Sequence, residues 1–137
     1  MNETSLRTSA LAWPRLVGAF GLAWNLYGVY QYLMTVGVVG AAAGSHITPS
    51  DAMPPWVTAA FAIGVFAGTL GSLCLLLLNR WATLLLVVSL VADLLWDVRV
   101  LSGGDRGSAA AIVIASTLVA VVLAWASYHA GKKGLLR

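Results

Sequence analysis

The chain has 137 residues, which fits a single domain. Only 9% of it is charged and 60% is hydrophobic, with a mean hydropathy of +0.88. A soluble domain of this size could not hide so much apolar surface, so the expected solvent is a bilayer. The net charge of +3 forms no basic cluster or motif, which argues against a nucleic-acid partner and makes the basic residues topology signals instead.

Residues 1–12 are polar to mixed and read as a cytoplasmic tail. Trp13-Pro14-Arg15 then has the character of a membrane interface. The tryptophan suits headgroup depth, the proline a first helical turn, and the arginine can snorkel. The first span is expected over 14–39. A cleavable signal peptide is the competing reading, with Ala41-Ala42-Ala43 as its cleavage site. The apolar stretch is longer than such segments usually are. It also carries Asn25, Tyr27, Tyr30 and Gln31, which favours a retained anchor. An outer loop follows over 40–54, and Thr48-Pro49-Ser50-Asp51 is suited to open a short helix there.

Pro55-Trp56 starts a second span over 55–78. Asn79-Arg80 allows only a tight antiparallel turn into a third span over 81–101. The Gly-rich turn around Asp105 leads to a fourth span over 108–130 and a basic tail. With four spans, Arg7, Arg15, Arg80, Lys132, Lys133 and Arg137 fall on one side of the membrane, and only Arg99 and Arg106 fall on the other. The positive-inside rule then puts both termini in the cytoplasm. The predicted fold is an all-α, integral-membrane, antiparallel up-down-up-down four-helix bundle. Five of the six tryptophans fall near span ends, and Trp24 is the exception.

Lipid gives helices no hydrophobic reason to associate, so small residues must provide close packing. The first span offers Gly18, Gly21, Asn25, Gly28, Tyr32 and Thr35 at spacings of three and four, which is one helical stripe. The second offers Gly64, Gly68 and Gly71, and the fourth Ser116, Ala120 and Ala124. Such motifs also serve dimerisation, so self-association stays open beside packing within one chain.

Asp93 is the most informative single residue. A carboxylate at mid-span costs about 2.5–3.5 kcal/mol on insertion scales, while each Leu or Val returns about 0.3–0.6. The nine Leu and Val residues from Leu84 to Leu95 offset it, so the span still inserts, and Asp93 must face protein or water. Asp93 lies 12 residues past Trp81, and Asn25 lies 12 past Trp13. Counting depth this way predicts one polar layer of Asn25, Asp93 and Ser116 or Thr117, with Gly64 making room. Tyr27, Tyr30 and Gln31 would line a route outward from that layer, toward Asp97 and Arg99. The layer reads as hydrogen-bonded glue between helices, as a binding, ion or proton site that opens outward, or as Asp93 facing the outer headgroups through a shallower span.

Cys74 stands alone in an apolar run and reads as a small hydrophobe. His46 and His129 fall on opposite sides of the membrane and cannot share a ligand. No HExxH, CxxC, Walker or GxSxG pattern occurs, so no enzyme, cofactor or metal site is expected.

Leu22-Ala23-Trp24-Asn25-x-x-Gly28-x-Tyr30-x-Tyr32-x-Met34-Thr35, Pro55-Trp56, Gly64 through Gly71-Ser72, Arg80-Trp81-Ala82 and Ser89-Leu90 together carry a resemblance. Over roughly residues 14–95 the chain resembles a widespread group of small bacterial four-helix membrane proteins, labelled hypothetical membrane proteins or sugar transporters. The group usually has Asp between the two tyrosines, where this chain has Gln31. That departure removes a carboxylate from a proton-coupled role. The likeness to DoxX-type four-helix proteins, some tied to quinol oxidation, is one of shape. The resemblance implies a multi-pass protein of the bacterial inner membrane. Two functions follow as expectations: a structural or accessory subunit of a larger membrane assembly, or a small transporter that oligomerises because one four-helix chain is small for alternating access.

Overall fold

Small residues at helical spacing decide how this chain packs, because they let backbones approach where larger side chains would hold them apart. The computed structural model describes residues 2–39, 54–103 and 107–137, and side chains for all of these except 4–7 and 107–109. The expected outer-loop helix, His46, Asp105 and Arg106 lie outside the described residues. The described residues form four helices and no strand: α1 (Glu3–Thr35), α2 (Pro55–Leu76), α3 (Trp81–Ser102) and α4 (Gly107–Lys132). By length and composition, α2 and the segment Ala110–Lys132 of α4 are apolar enough to cross a membrane.

Consecutive helices run antiparallel. Along α1 and α2, Gly18 faces Leu76, Gly21 faces Ser72, Asn25 faces Gly68 and Gly28 faces Val65. Tyr32 meets Phe61 edge-on, with ring centroids 5.8 Å apart. The stripe read from the sequence is thus the face that α1 lays on α2. At Gly18 it is the backbones themselves that come close, since a methyl group there would lie 2.6 Å from the backbone nitrogen of Leu76. The other side of α2 receives α3, with Gly71 against Leu86, Gly68 against Ser89 and Gly64 against Ala92. α4 leans mainly on α3 and meets α1 much less. Where α4 does touch α1, Leu123 fills the notch at Gly21, and the rings of Trp13 and His129 lie 6.2 Å apart.

Two expectations for the N-terminal region are corrected. The segment 3–12 continues α1 instead of forming a tail, and Pro14 sits inside the helix, fully buried, instead of in its first turn. A mid-helix proline forfeits one backbone hydrogen bond. Full burial of the ring accompanies that loss. At its other end α1 stops at Thr35, short of the expected 39, because Gly37 turns the chain with φ +76°.

Three helix ends share one pattern. The N–H of Val38 donates to the Leu33 carbonyl, that of Asn79 to Cys74 and that of Leu135 to Ala130, each five residues back. This is the Schellman closure, which requires a left-handed residue just before the donor. Gly37 and Gly134 fill that position after α1 and α4. After α2 it is Leu78, at φ 59°, with its side chain buried. The C-terminal tail clamps this turn: Arg137 N–H donates to the Leu78 carbonyl at 2.7 Å, and Arg80 N–H to the Arg137 carbonyl at 2.9 Å. Leu135 and Leu136 pack on the core beside it. One end of the bundle is therefore closed. Asn79 starts α3 there by accepting the Trp81 N–H at 3.0 Å.

The outside of the bundle is largely apolar. Leu16, Val38, Leu77 and Val98 are each between 68% and 72% exposed.

Candidate functional site

Asn25 and Ser89 converge over Gly68 from opposite sides, on α1 and α3. The Asn25 amide donates to its own helix at the Gly21 carbonyl (2.8 Å) and to Ser72 Oγ on α2 (3.4 Å). Ser89 Oγ donates to the Gly64 carbonyl at 2.8 Å. A side chain at position 68 would collide with both Asn25 and Ser89, so the absence of one is what allows the crossing.

Asn25 does not bond to Asp93, which corrects the single-layer expectation. Asn25 lies level with Gly68 and Ser89, whereas Asp93 lies level with Gly64, one helical turn further along α3. The depth count failed because its two rulers are not level. Gly18 faces Leu76 and Gly71 faces Leu86, so the start of α3 is level with Gly18 and Trp13 lies more than a turn beyond it.

Around Asp93 the bundle is hollow. A cavity of about 390 Å³ lies between the four helices. Its α1 wall is Trp24, Tyr27 and Gln31, its floor includes Gly64, Ser89 and Asp93, and its α4 wall includes Ala115 and Ser116. Phe61 and Trp96 close one side as a stacked pair with centroids 4.7 Å apart. The cavity exists because α1 and α4 meet at Gly21–Leu123 and then diverge. Its mouth is that divergence: Trp24, Tyr27 and Ile112 line the cavity and are also exposed at the surface of the bundle.

Within the cavity most hydrogen-bonding groups are already engaged. The Gln31 amide, buried, donates to the Tyr27 hydroxyl at 2.9 Å. Asn25 and Ser89 are bonded as described. Ser116 faces Asp93 but also lies 3.1 Å from its own Val113 carbonyl. Asp93 Oδ2 is buried and has no hydrogen-bond partner among the described residues. One turn on, Asp97 is 5% exposed; its Oδ2 accepts from Thr117 Oγ1 at 2.5 Å, and its Oδ1 has no partner among the described residues. Two carboxylates at this spacing share a helix face and repel one another.

Five of the seven residues expected at a binding layer line the cavity: Asn25, Tyr27, Gln31, Asp93 and Ser116. Tyr30 does not, and its ring is exposed on the outside of α1. Thr117 does not either; it serves Asp97, which the sequence reading had left at the outer surface. Ala120, expected to pack helices, lines the cavity. Gly28 and Gly64 line it too while packing against Val65 and Ala92. Sequence reasoning put Ser89 on one stripe of α3 with Ala82 and Asp93, and Trp96 near a span end, but counted neither in the site. The two stand four before and three after Asp93, and that spacing puts all three on one face of α3. Among the described residues no group of three His, Cys, Asp or Glu side chains could hold a metal ion. His129 is remote from the cavity, stacked on Trp125 at 5.2 Å. No protein-family model matches the chain, no curated protein matches it, and no solved structure matches it.

Proposed function

We propose that the chain is an integral protein of a bacterial inner membrane, crossing it four times with both termini cytoplasmic, and that it binds a small molecule within the bilayer. Several features support the membrane reading. α2 and α4 are long and apolar enough to span, and the bundle's outer surface is apolar on every helix. Arg80, Lys132, Lys133 and Arg137 gather at the clamped end, where Arg137 meets Arg80, while Arg99 sits toward the other end. That distribution suits a cytoplasmic clamped end.

The observation that carries the binding reading is the cavity at Asp93. Asp93 Oδ2 has no partner among the described residues and belongs to a residue that lines about 390 Å³ of space, whereas Asp97, whose Oδ1 is likewise unpaired among them, does not line it. That volume is in the range of small-molecule sites. This arrangement favours a binding or permeation unit over a purely accessory subunit. Transport by so small a chain would still call for more than one copy.

The test is mass spectrometry of small molecules that travel with the protein purified in mild detergent, compared with an Ala115→Trp variant whose indole fills the cavity. A species carried by the native chain and lost from the variant is expected; equal retention by both would sink the reading. A reporter that fluoresces only in the cytoplasm, joined after Arg137, is expected to be bright, and a dark fusion would reverse the topology.

A further inference from the structure

We propose that the occupant of this cavity is a monovalent organic cation with an apolar body, such as an amine or onium centre carrying aromatic or branched aliphatic groups, and that it enters sideways from the lipid through the gap between α1 and α4. The inference rests on the membrane-site reading and names the ligand class of that same cavity.

Charge complementarity comes first. Among the described residues, Asp93 is the only ionisable group lining the cavity besides the Tyr27 phenol, and one of its oxygens is buried without a partner there. A carboxylate inside an apolar surround is costly until a counter-ion meets it. An anion would be repelled by Asp93 and again by Asp97 one turn away. A neutral apolar guest would cover the carboxylate without pairing it.

The walls argue for an apolar body. Trp24, Phe61, Trp96 and Leu123 line the cavity, and two of them are indoles, the best faces for a cation. A sugar fits poorly here. Its hydroxyls would need many partners, yet the Gln31, Asn25 and Ser89 donors are already engaged within the protein. A bare inorganic cation fits poorly too. It would need several oxygen ligands at once, and one carboxylate in a chamber of about 390 Å³ does not supply them.

The route follows from where the walls part. The clamped end is sealed by the Leu78–Arg137 pairing and by Leu123 in the Gly21 notch. The mouth lies part-way along the bundle, between Tyr27 on α1 and Ile112 on α4, both on the surface that would face acyl chains. An amphipathic cation concentrates in a membrane, so a side entrance meets it where it is abundant.

Three probes of similar shape separate the possibilities: tetraphenylphosphonium, neutral triphenylphosphine oxide and anionic tetraphenylborate. Each is titrated against the native chain in lipid nanodiscs, with empty nanodiscs subtracted. The native chain is expected to prefer the phosphonium to the oxide and to bind no borate. Asp93→Asn is expected to lose phosphonium affinity by about tenfold or more, with the oxide unaffected. Asp93→Glu, which keeps the charge, is expected to retain it, so a loss in Asp93→Asn cannot be assigned to misfolding. Ala115→Trp is expected to abolish binding of both cation and oxide. A native chain that binds the oxide or the borate as well as the phosphonium, or an Asp93→Asn chain that binds the phosphonium undiminished, overturns the cation assignment and leaves the cavity reading standing. A native chain that binds none of the three also overturns it. Binding that Ala115→Trp leaves intact removes the cavity itself as the site, and the proposal with it.

Discussion

Thr117 on α4 donates its hydroxyl to Asp97 on α3 at 2.5 Å, a side-chain hydrogen bond that ties those two helices together. It satisfies half of a carboxylate that is 5% exposed. Asp93, one turn away, faces the cavity with no equivalent donor on its Oδ2. Each acid keeps one oxygen without a partner among the described residues, and of the two only Asp93 lines the cavity.

Thr117→Val keeps the shape and removes the donor. Both Asp97 oxygens would then be buried without a partner among the described residues, at a cost of about 1–3 kcal/mol. A lower thermal unfolding temperature in detergent is expected, with Thr117→Ser close to the native chain. A Thr117→Val chain as stable as the native one would show that the bond contributes nothing.

Asn25 and Gly68 form a second pair suited to a double-mutant cycle. Gly68→Ala places a methyl group into the Asn25 amide and near Ser89 Oγ, and is expected to destabilise strongly. Asn25→Ala opens that space, so the double variant should recover part of the loss, with a coupling of about 0.5–3 kcal/mol. Strict additivity of the two changes would contradict the packing described here.

Leu78 holds a left-handed backbone at φ 59°, a conformation that is harder still for a β-branched side chain. Leu78→Val is expected to cost about 1–3 kcal/mol, from added backbone strain plus lost burial. Leu77→Val, next to it but exposed and with an ordinary φ of −83°, should cost far less. Equal effects at the two positions would mean that the turn is not strained.

Thiol labelling reads the cavity directly. With Cys74 replaced by Ala, Ser116→Cys should react with a membrane-permeant maleimide, because Ser116 lines the cavity. Ser72→Cys should stay unreactive, since Ser72 has no exposed surface. Adding Ala115→Trp to Ser116→Cys should protect the thiol. Labelling of Ser72→Cys as fast as Ser116→Cys would mean that the bundle is not packed as described.

The helix-to-helix faces were legible in the sequence because they depend on spacing alone. Gly18, Gly21, Asn25 and Gly28 had to share a face, and they meet Leu76, Ser72, Gly68 and Val65. Heights were less legible, since comparing depth between helices needs a common reference. Trp13 lies more than a turn beyond the level of Trp81, so Asn25 was matched with Asp93 instead of with Ser89. Tyr30 was drawn into the expected site by its neighbours in sequence, although it stands about 100° around the helix from Gln31 and its ring is exposed. The cavity had no signature at all. Ala115, Ser116 and Ala120 on α4 have the small size that close packing needs, and the same size leaves a hollow where the partner helix departs. Only the divergence of α1 from α4 decides between the two.

That divergence has a consequence for the order of assembly. α1, α2 and α3 complete their glycine-lined contacts as two successive hairpins, each made from neighbouring stretches of chain. α4 adds the last wall, and the final residues then tie back to the turn between α2 and α3. A nascent chain that has released only its first three helices already owns Asp93 but presents it on an open face. The chamber comes into being when α4 arrives, and the Arg137–Leu78 clasp forms only once synthesis has reached the tail.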